Sequence, residues 1–272
     1  MTPSIDQSAF SRQSFLGPNS QPHISACVVG IAGLGGGGSH IAQQLAHLGF
    51  MNYVLFDRDA IEESNLNRLV GGTMQDVIDK RLKIEIARRV ILGIRPGANV
   101  RVIADVWQNQ AEALKSCDIV FGCVDGFDQR RQLEATTRRF LIPLIDIGMD
   151  VYHPLGCAPS ISGQVILSMP GHTCMTCMGV LNDRNLAKEA AAYGDAGAHP
   201  QVIWSNGLLA SIAVGVAVDL VTDWSKTLRC PVYLSYRGNL GTIAPDATLR
   251  FAPSNCCHFP LENVGPVVFR NV

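Results

Sequence analysis

The stretch from Cys27 to Arg68, CVVGIAGLGGGGSHIAQQLAHLGFMNYVLFDRDAIEESNLNR, leaves this chain few choices of fold. An apolar run from Cys27 to Ala32 reads as a buried strand, and Gly33-Leu34-Gly35-Gly36-Gly37-Gly38 as a loop. Ser39 to about Leu48 then reads as a helix, and Tyr53 to Phe56 as a second strand ending at Asp57. This is a βαβ nucleotide-binding unit. Its glycines let backbone approach phosphate oxygens, while the helix N-terminus offers free N–H groups and the positive end of a dipole. Asp57, at the end of the second strand, is placed to accept from ribose hydroxyls. The glycine pattern alone fits many NAD and FAD enzymes. The residues after it narrow the reading.

They are Asp57-Arg58-Asp59-Ala60-Ile61-Glu62-Glu63-Ser64-Asn65-Leu66-Asn67-Arg68. A dinucleotide enzyme needs nothing polar here beyond the ribose carboxylate, whereas two amides and an arginine suit nucleotide phosphates. The stretch resembles the adenylation domain of the ubiquitin-activating-enzyme superfamily, the ThiF/MoeB type of adenylyltransferase. Its bacterial members include the sulfur-carrier adenylyltransferases of molybdopterin and thiamine synthesis. The resemblance runs from about Phe10 to the C-terminus, and several separate motifs recur in the family's order.

It implies the following site. Gly33, Gly35, Gly36 and Gly38 form the floor beneath ATP, and Asp57 holds the ribose. Asn65, Arg68 and Lys83 bind phosphates. Asp125, in Asp125-Gly126-Phe127, holds the magnesium on ATP, with Gly126 replacing the family's usual asparagine; read from residues alone, Asp125 serves equally as a helix N-cap. Lys83 opens Lys83-Ile84-Glu85-Ile86-Ala87, similar to a family helix whose first lysine contacts phosphates, although the glycine common three residues earlier is Lys80 here. On spacing alone, Leu82, Ile86, Val90 and Ile94 predict a helix over 79–94 that leaves Lys83 off the apolar stripe. Arg12-Gln13 matches a family pair whose arginine reaches across a homodimer to the partner's ATP, where a guanidinium would stabilise charge on the phosphate.

Further strands are predicted at Asn99–Ala104, Asp118–Val124, Pro143–Ile147, Gly163–Met169, Val232–Tyr236 and Gly241–Ile243, with a last one at Val267–Phe269. A Gly- and Pro-rich loop separates the two strands around residue 155, Gln108–Lys115 reads as a short helix, and Gly238-Asn239 as a turn. Residues 182–204 read as a mobile Ala/Gly-rich segment in which His199 is a surface histidine. Leu208–Val221 is interrupted by Ser211, Gly215 and Asp219 and falls short of the about 20 apolar residues of a membrane span, so it reads as a core helix.

Cys174 and Cys177 form a CxxC, which by itself serves zinc or redox chemistry. The family places a second CxxC far downstream, where this chain has Asn255-Cys256-Cys257-His258. The resemblance therefore implies a structural zinc held by Cys174, Cys177, Cys256 and Cys257, with His258 as the substitute if adjacent cysteines cannot both reach. Cys27, Cys117, Cys123, Cys157 and Cys230 read as small core residues, Cys157 in its loop being the exception. The acceptor cysteine that some family members carry in the 182–204 crossover has no counterpart here.

With 47% hydrophobic and 17% charged residues, the 272-residue chain can bury a sizeable core, and a net charge of −1 gives no reason to expect nucleic acid or an anionic membrane as partner. The N-terminus lacks a basic segment before an apolar run, and nine cysteines without a disulfide framework point to a cytoplasmic protein. The expected fold is α/β: an N-terminal arm over 1–25 and an adenylation domain over 26–272. That domain has a Rossmann-like, twisted, mainly parallel sheet in a nucleotide-binding half (about 26–150), and a mixed extension with the zinc knot in a carrier-binding half (about 151–272). The resemblance implies ATP-dependent adenylation of the C-terminal glycine carboxylate of a small ubiquitin-like or sulfur-carrier protein ending in Gly-Gly, with Mg2+ and structural Zn2+. Three alternatives stay open: an activating enzyme of a bacterial ubiquitin-like conjugation system with a separate conjugating enzyme, an NAD(P)-binding oxidoreductase, and a non-catalytic carrier-binding scaffold.

Overall fold

In the computed structural model, the residues described are 7–153, 156–182, 200–228, 230–253 and 256–260. Among these residues eight strands form one sheet: β1 (Val28–Ala32), β2 (Asn52–Phe56), β3 (Asn99–Ile103), β4 (Ile119–Gly122), β5 (Leu144–Tyr152), β6 (Ser160–Ser168), β7 (Val232–Arg237) and β8 (Thr242–Pro245). Their spatial order is β3-β2-β1-β4-β5-β6-β7-β8. The pairs from β3 to β5 are parallel, and those from β5 to β8 antiparallel. The first five strands therefore have five of the six positions of the dinucleotide-fold order, 3-2-1-4-5, whose ligand crevice opens at the carboxyl ends where β1 meets β4.

Strand periodicity of two splits the core into two layers. Val29, Ile31, Tyr53, Leu55, Phe121 and Ile145 face one side and pack with α1 (Ser20–Ala26), α2 (Gly36–Leu48), α4 (Lys83–Ile94) and α6 (Ile203–Thr222). Ala32, Val54, Phe56, Val120 and Leu144 face the other and meet Trp107, Leu114, Leu133, Met175 and Met178. Leu133 comes from α5 (Phe127–Arg139), and Trp107 and Leu114 from a 3-10 segment, Trp107–Ser116, where a short helix is predicted. The helix α6 is long and apolar enough to cross a membrane by composition, yet half of it is buried against α2 and the sheet.

Several elements differ from the sequence reading. Helix α2 begins at Gly36 rather than Ser39, because close packing of this turn overrides glycine's poor helix propensity. The helix expected over 79–94 begins only at Lys83, as α4; residues 79–82 form a turn with Lys80 at φ +50°, preceded by a separate short helix, α3 (Met74–Ile78). The cause is Asp76: this buried carboxylate accepts from Thr73, Arg81 and Arg89, and so locks the chain into a turn. Those bonds, with Arg89 foremost, hold its carboxyl well below the usual range. The loop expected around residue 155 is shorter than predicted, since β5 and β6 continue as a nine-residue antiparallel ladder from Leu144↔Ser168 to Tyr152↔Ser160. The predicted strand at 267–269, most of the 182–204 segment, and His199 lie outside the described residues.

Candidate active site and metal centre

One cleft of about 530 Å³ runs along the carboxyl ends of the parallel strands and onto the antiparallel half. Gly35, Gly36 and Gly37 line it at the start of α2, where the first N–H groups of a helix have no partners within it. Asn65, Arg68, Lys83 and Asp125 also stand in its walls. Gly33 and Gly38 do not; they make the turn possible. Gly33 has φ +90°, and a Cβ there would lie 2.5 Å from the Cys123 carbonyl, while a Cβ on Gly38 would lie 2.0 Å from the Gly33 carbonyl.

Asp57 is also set back from the cleft walls. Its Oδ2 accepts from Leu34 N–H at 2.7 Å and its Oδ1 from Asp59 N–H at 2.9 Å, so the carboxylate ties the glycine loop to the end of β2. Burial pushes its carboxyl up, opposed by the Lys83 charge and both N–H groups. Lys83 is the first residue of α4, not a surface lysine along a helix. Its side chain is 14% exposed and Nζ donates to Asp59 Oδ2 at 2.9 Å. Asn65 is buried and accepts from Glu62 N–H, and Arg68 donates to Ser64 carbonyl and Asn67 Oδ1, so the 57–68 segment braces its own polar groups. Asp125 is exposed on the loop between β4 and α5, and Gly126 takes the N-cap position that Asp125 could have filled.

Two wall residues were not among those expected. Asn206, near the start of α6, has its amide where a Gly36 Cβ would stand, 2.5 Å away. Arg130, 6% exposed, donates to Asp146, to Ile147 carbonyl at 2.9 Å and to Val124 carbonyl at 2.7 Å. This pins the loop before Asp125 to β5. Burial lifts the Asp146 carboxyl to about 6, although Arg130 opposes the rise. A signal existed: a lone aspartate in the apolar run Leu144-Ile145-Asp146-Ile147 must find a buried partner.

Arg12 lies exposed on the 3-10 segment Gln7–Leu16 and is not among the cleft walls of its own chain. Beside it, Phe15, Leu16, Val214, Val218 and Trp224 line an apolar groove.

On the opposite face, Cys174, Cys177, Cys256 and His258 offer ligand atoms all within 4.8 Å of one another. Cys177 Sγ is 4.0 Å from Cys256 Sγ, and His258 Nδ1 is 3.5 and 3.3 Å from Cys174 and Cys177 Sγ. Ligands at about 2.3 Å from a tetrahedral zinc stand about 3.8 Å apart, so the quartet fits that ion. The place expected for Cys257 is taken by His258; the exposed Cys257 thiol lies 3.7 Å from His258 Nδ1 but outside the mutually close quartet. The loop carrying the first pair is held independently of any metal. Glu134 Oε1 accepts from Ser168 Oγ and Met175 N–H, and Arg138 donates to the His172 and Thr173 carbonyls. Of the remaining thiols, burial pushes Cys27 and Cys117 up to about 12 and raises Cys123 and Cys230, which makes them poor nucleophiles. Cys123 lines the cleft, and Cys157 is exposed.

Comparison with known proteins agrees with this architecture. The ubiquitin-like modifier-activating enzyme 5 of Drosophila willistoni is 24% identical over 246 residues, 83% of this chain and 56% of that protein. The molybdopterin-synthase adenylyltransferase of Haemophilus influenzae is 33% identical over 150 residues, 53% of this chain and 56% of that protein. The chain thus spans little more than half the length of either relative. The crystal structure of E. coli MccB with succinimide superposes with a TM-score of 0.73 at 21% identity, covering 94% of this chain and 75% of that one, and so shares the fold. The ThiF family profile matches residues 10–257, from the segment bearing Arg12 to the second cysteine cluster, and the chain belongs to the ThiF family.

Proposed function

We propose that this protein is an ATP-dependent adenylyltransferase that activates the C-terminal carboxylate of a small ubiquitin-like or sulfur-carrier protein ending in Gly-Gly. The observation that carries the reading is the continuity of one cleft. At one end stand the glycine turn, Asn65, Arg68, Lys83 and Asp125; at the other stand Gly148, Ser162, Gly163, Ser235 and Arg237 of the antiparallel strands. The first end suits a nucleotide and the second an extended polypeptide tail. Relatives named for adenylyl transfer and modifier activation support it, as do crystal structures of MccB, one with ATP and one with N-formylated MccA.

A tail carboxylate, ionised at neutral pH, attacks the α-phosphorus. A carboxylate O–P bond forms, the bond to the β-phosphate oxygen breaks, and pyrophosphate leaves with that electron pair. No general base is required, so the protein's work is positioning and charge stabilisation. Lys83 and Arg68 face the phosphates and the α2 N-terminus the α-phosphate. Asp125 supplies hard oxygen atoms suited to Mg2+, which when bound offsets phosphate charge. The test is exchange of labelled pyrophosphate into ATP, dependent on a Gly-Gly carrier. Absence of exchange with a panel of such carriers, together with tight nicotinamide dinucleotide binding, would replace this reading with the oxidoreductase.

We further propose that the protein works as a homodimer in which Arg12 serves the partner's cleft. Arg12→Ala and Lys83→Ala proteins should each be inactive. Mixed under subunit exchange, they should recover about a quarter of wild-type exchange, because half the dimers are mixed and each has one intact site. No recovery despite demonstrated exchange of subunits removes Arg12 from the trans role. The carrier is expected to leave as a free acyl-adenylate. A thiol-sensitive adduct on a gel run without reductant would name exposed Cys157 or Cys257 as an acceptor, and handover to a conjugating enzyme would then follow.

A further inference from the structure

A second cavity lies behind Lys83, and its walls include Arg58, Asp59, Glu62, Asn65, Lys80 and Lys83. Asn65 and Lys83 are walls of the nucleotide cleft as well, so the two spaces meet at these side chains. Nothing from β5, β6 or β7 reaches this cavity. That placement matters for the adenylation just proposed, on which the present inference rests. In-line displacement requires the leaving group on the side of the α-phosphorus opposite the attacking oxygen. If the attacking tail lies over the antiparallel strands, pyrophosphate must depart the other way, past Lys83.

Lys80 stands on that far side in a conformation that its fold does not need it for. Its φ of +50° is the left-handed region, where glycine sits without strain and a lysine does not. Other groups hold the turn: Lys80 N–H donates to Val77 carbonyl, Arg81 N–H to Asp76 carbonyl, and Arg81 Nε to the Asp76 carboxylate. A strained residue retained where glycine would serve the backbone better is a reason to look for work done by its side chain. The surrounding charges say what that work is. Asp59 is bonded to Lys83 and lies 3.9 Å from Arg58, and Glu62 and Glu63 stand in the same wall, so its three cations face three carboxylates. A wall that mixes cations with carboxylates suits a metal-complexed polyphosphate better than a bare anion.

We infer that Lys80 is a further phosphate-binding residue, holding the β- and γ-phosphates of bound ATP and the pyrophosphate they become. The test is calorimetric titration of the full chain with ATP and, separately, with AMP, both with magnesium, for wild type, Lys80→Gly and Lys80→Arg. Lys80→Gly should bind ATP about tenfold more weakly, the size expected of one lost charge-assisted contact at a partly solvated site. Its AMP affinity should be unchanged, and its melting temperature equal to or above wild type, since strain is removed. Lys80→Arg should keep ATP affinity. A purely structural Lys80 would give the opposite pattern, with Lys80→Gly matching wild type for ATP or losing ATP and AMP alike; either result overturns the assignment while leaving adenylation standing. Failure of the wild-type protein to bind ATP at all would overturn both.

Discussion

Asp125→Ala is expected to reduce carrier-dependent pyrophosphate exchange by at least about 100-fold, the scale on which loss of a single transition-state electrostatic contact is felt. Its melting temperature should stay within about 1 °C of wild type, because surface substitutions outside special contacts are close to neutral. The side chain is exposed, and the loop bearing it is fixed from below by Arg130. The neighbouring variant Arg130→Ala supplies the contrast. It strands the fully buried Asp146 carboxylate without its counter-ion, a change that typically destabilises by about 3–5 kcal/mol. Loss of exchange with an unchanged melt places Asp125 in the chemistry. Exchange at the wild-type rate in Asp125→Ala would remove it.

Metal analysis should find about one zinc per chain, the stoichiometry of a single four-ligand site. Cys174→Ser should lose that zinc and lower the melting temperature by about 10 °C, as loss of a structural metal belongs among the changes that exceed about 4 kcal/mol and each kcal/mol moves a chain of this size by about 2–4 °C. His258→Ala should follow Cys174→Ser, whereas Cys257→Ser should keep both metal and stability. The reverse order between His258 and Cys257 would restore the ligand set expected from sequence. Because Glu134 and Arg138 hold the Cys174 loop through its backbone, the metal-free protein should keep that loop and the parallel sheet in place and loosen first at the Cys256–His258 segment.

What was legible in the sequence was whatever a short stretch decides by itself. The glycine turn, Asn65 to Arg68, Lys83 and Asp125 each sit within a local signature, and the fold brings these separate signatures to one cleft. What escaped depended on contacts that only the fold makes. The bonds from the Leu34 and Asp59 N–H groups to the Asp57 carboxylate are of this kind. Adjacent Cys256 and Cys257 cannot be told from a ligand pair until the direction of each side chain is known. Arg130 and Asp146 are sixteen residues apart, and only the pairing of β4 with β5 makes them partners. The break before Lys83 was hidden because the apolar spacing continues across it, while the cause, Asp76, lies outside the periodic pattern.

Strand β5 acts as a ruler for the proposed reaction. It pairs with parallel β4 over Leu144–Asp146 and with antiparallel β6 along its full length, and Ile147, Gly148, Met149 and Asp150 line the cleft between. The span from the nucleotide end to the tail end is thereby measured in strand steps of about 3.3 Å, available only as whole residues. One residue more or fewer would turn every later side chain to the opposite face. An isoleucine would then stand where Asp146 meets Arg130, and the loop of Asp125 would come adrift. Substrate preference in such a protein is free to drift through the side chains that fringe the groove and through the turns past Tyr152, but the length of this strand is not free to change.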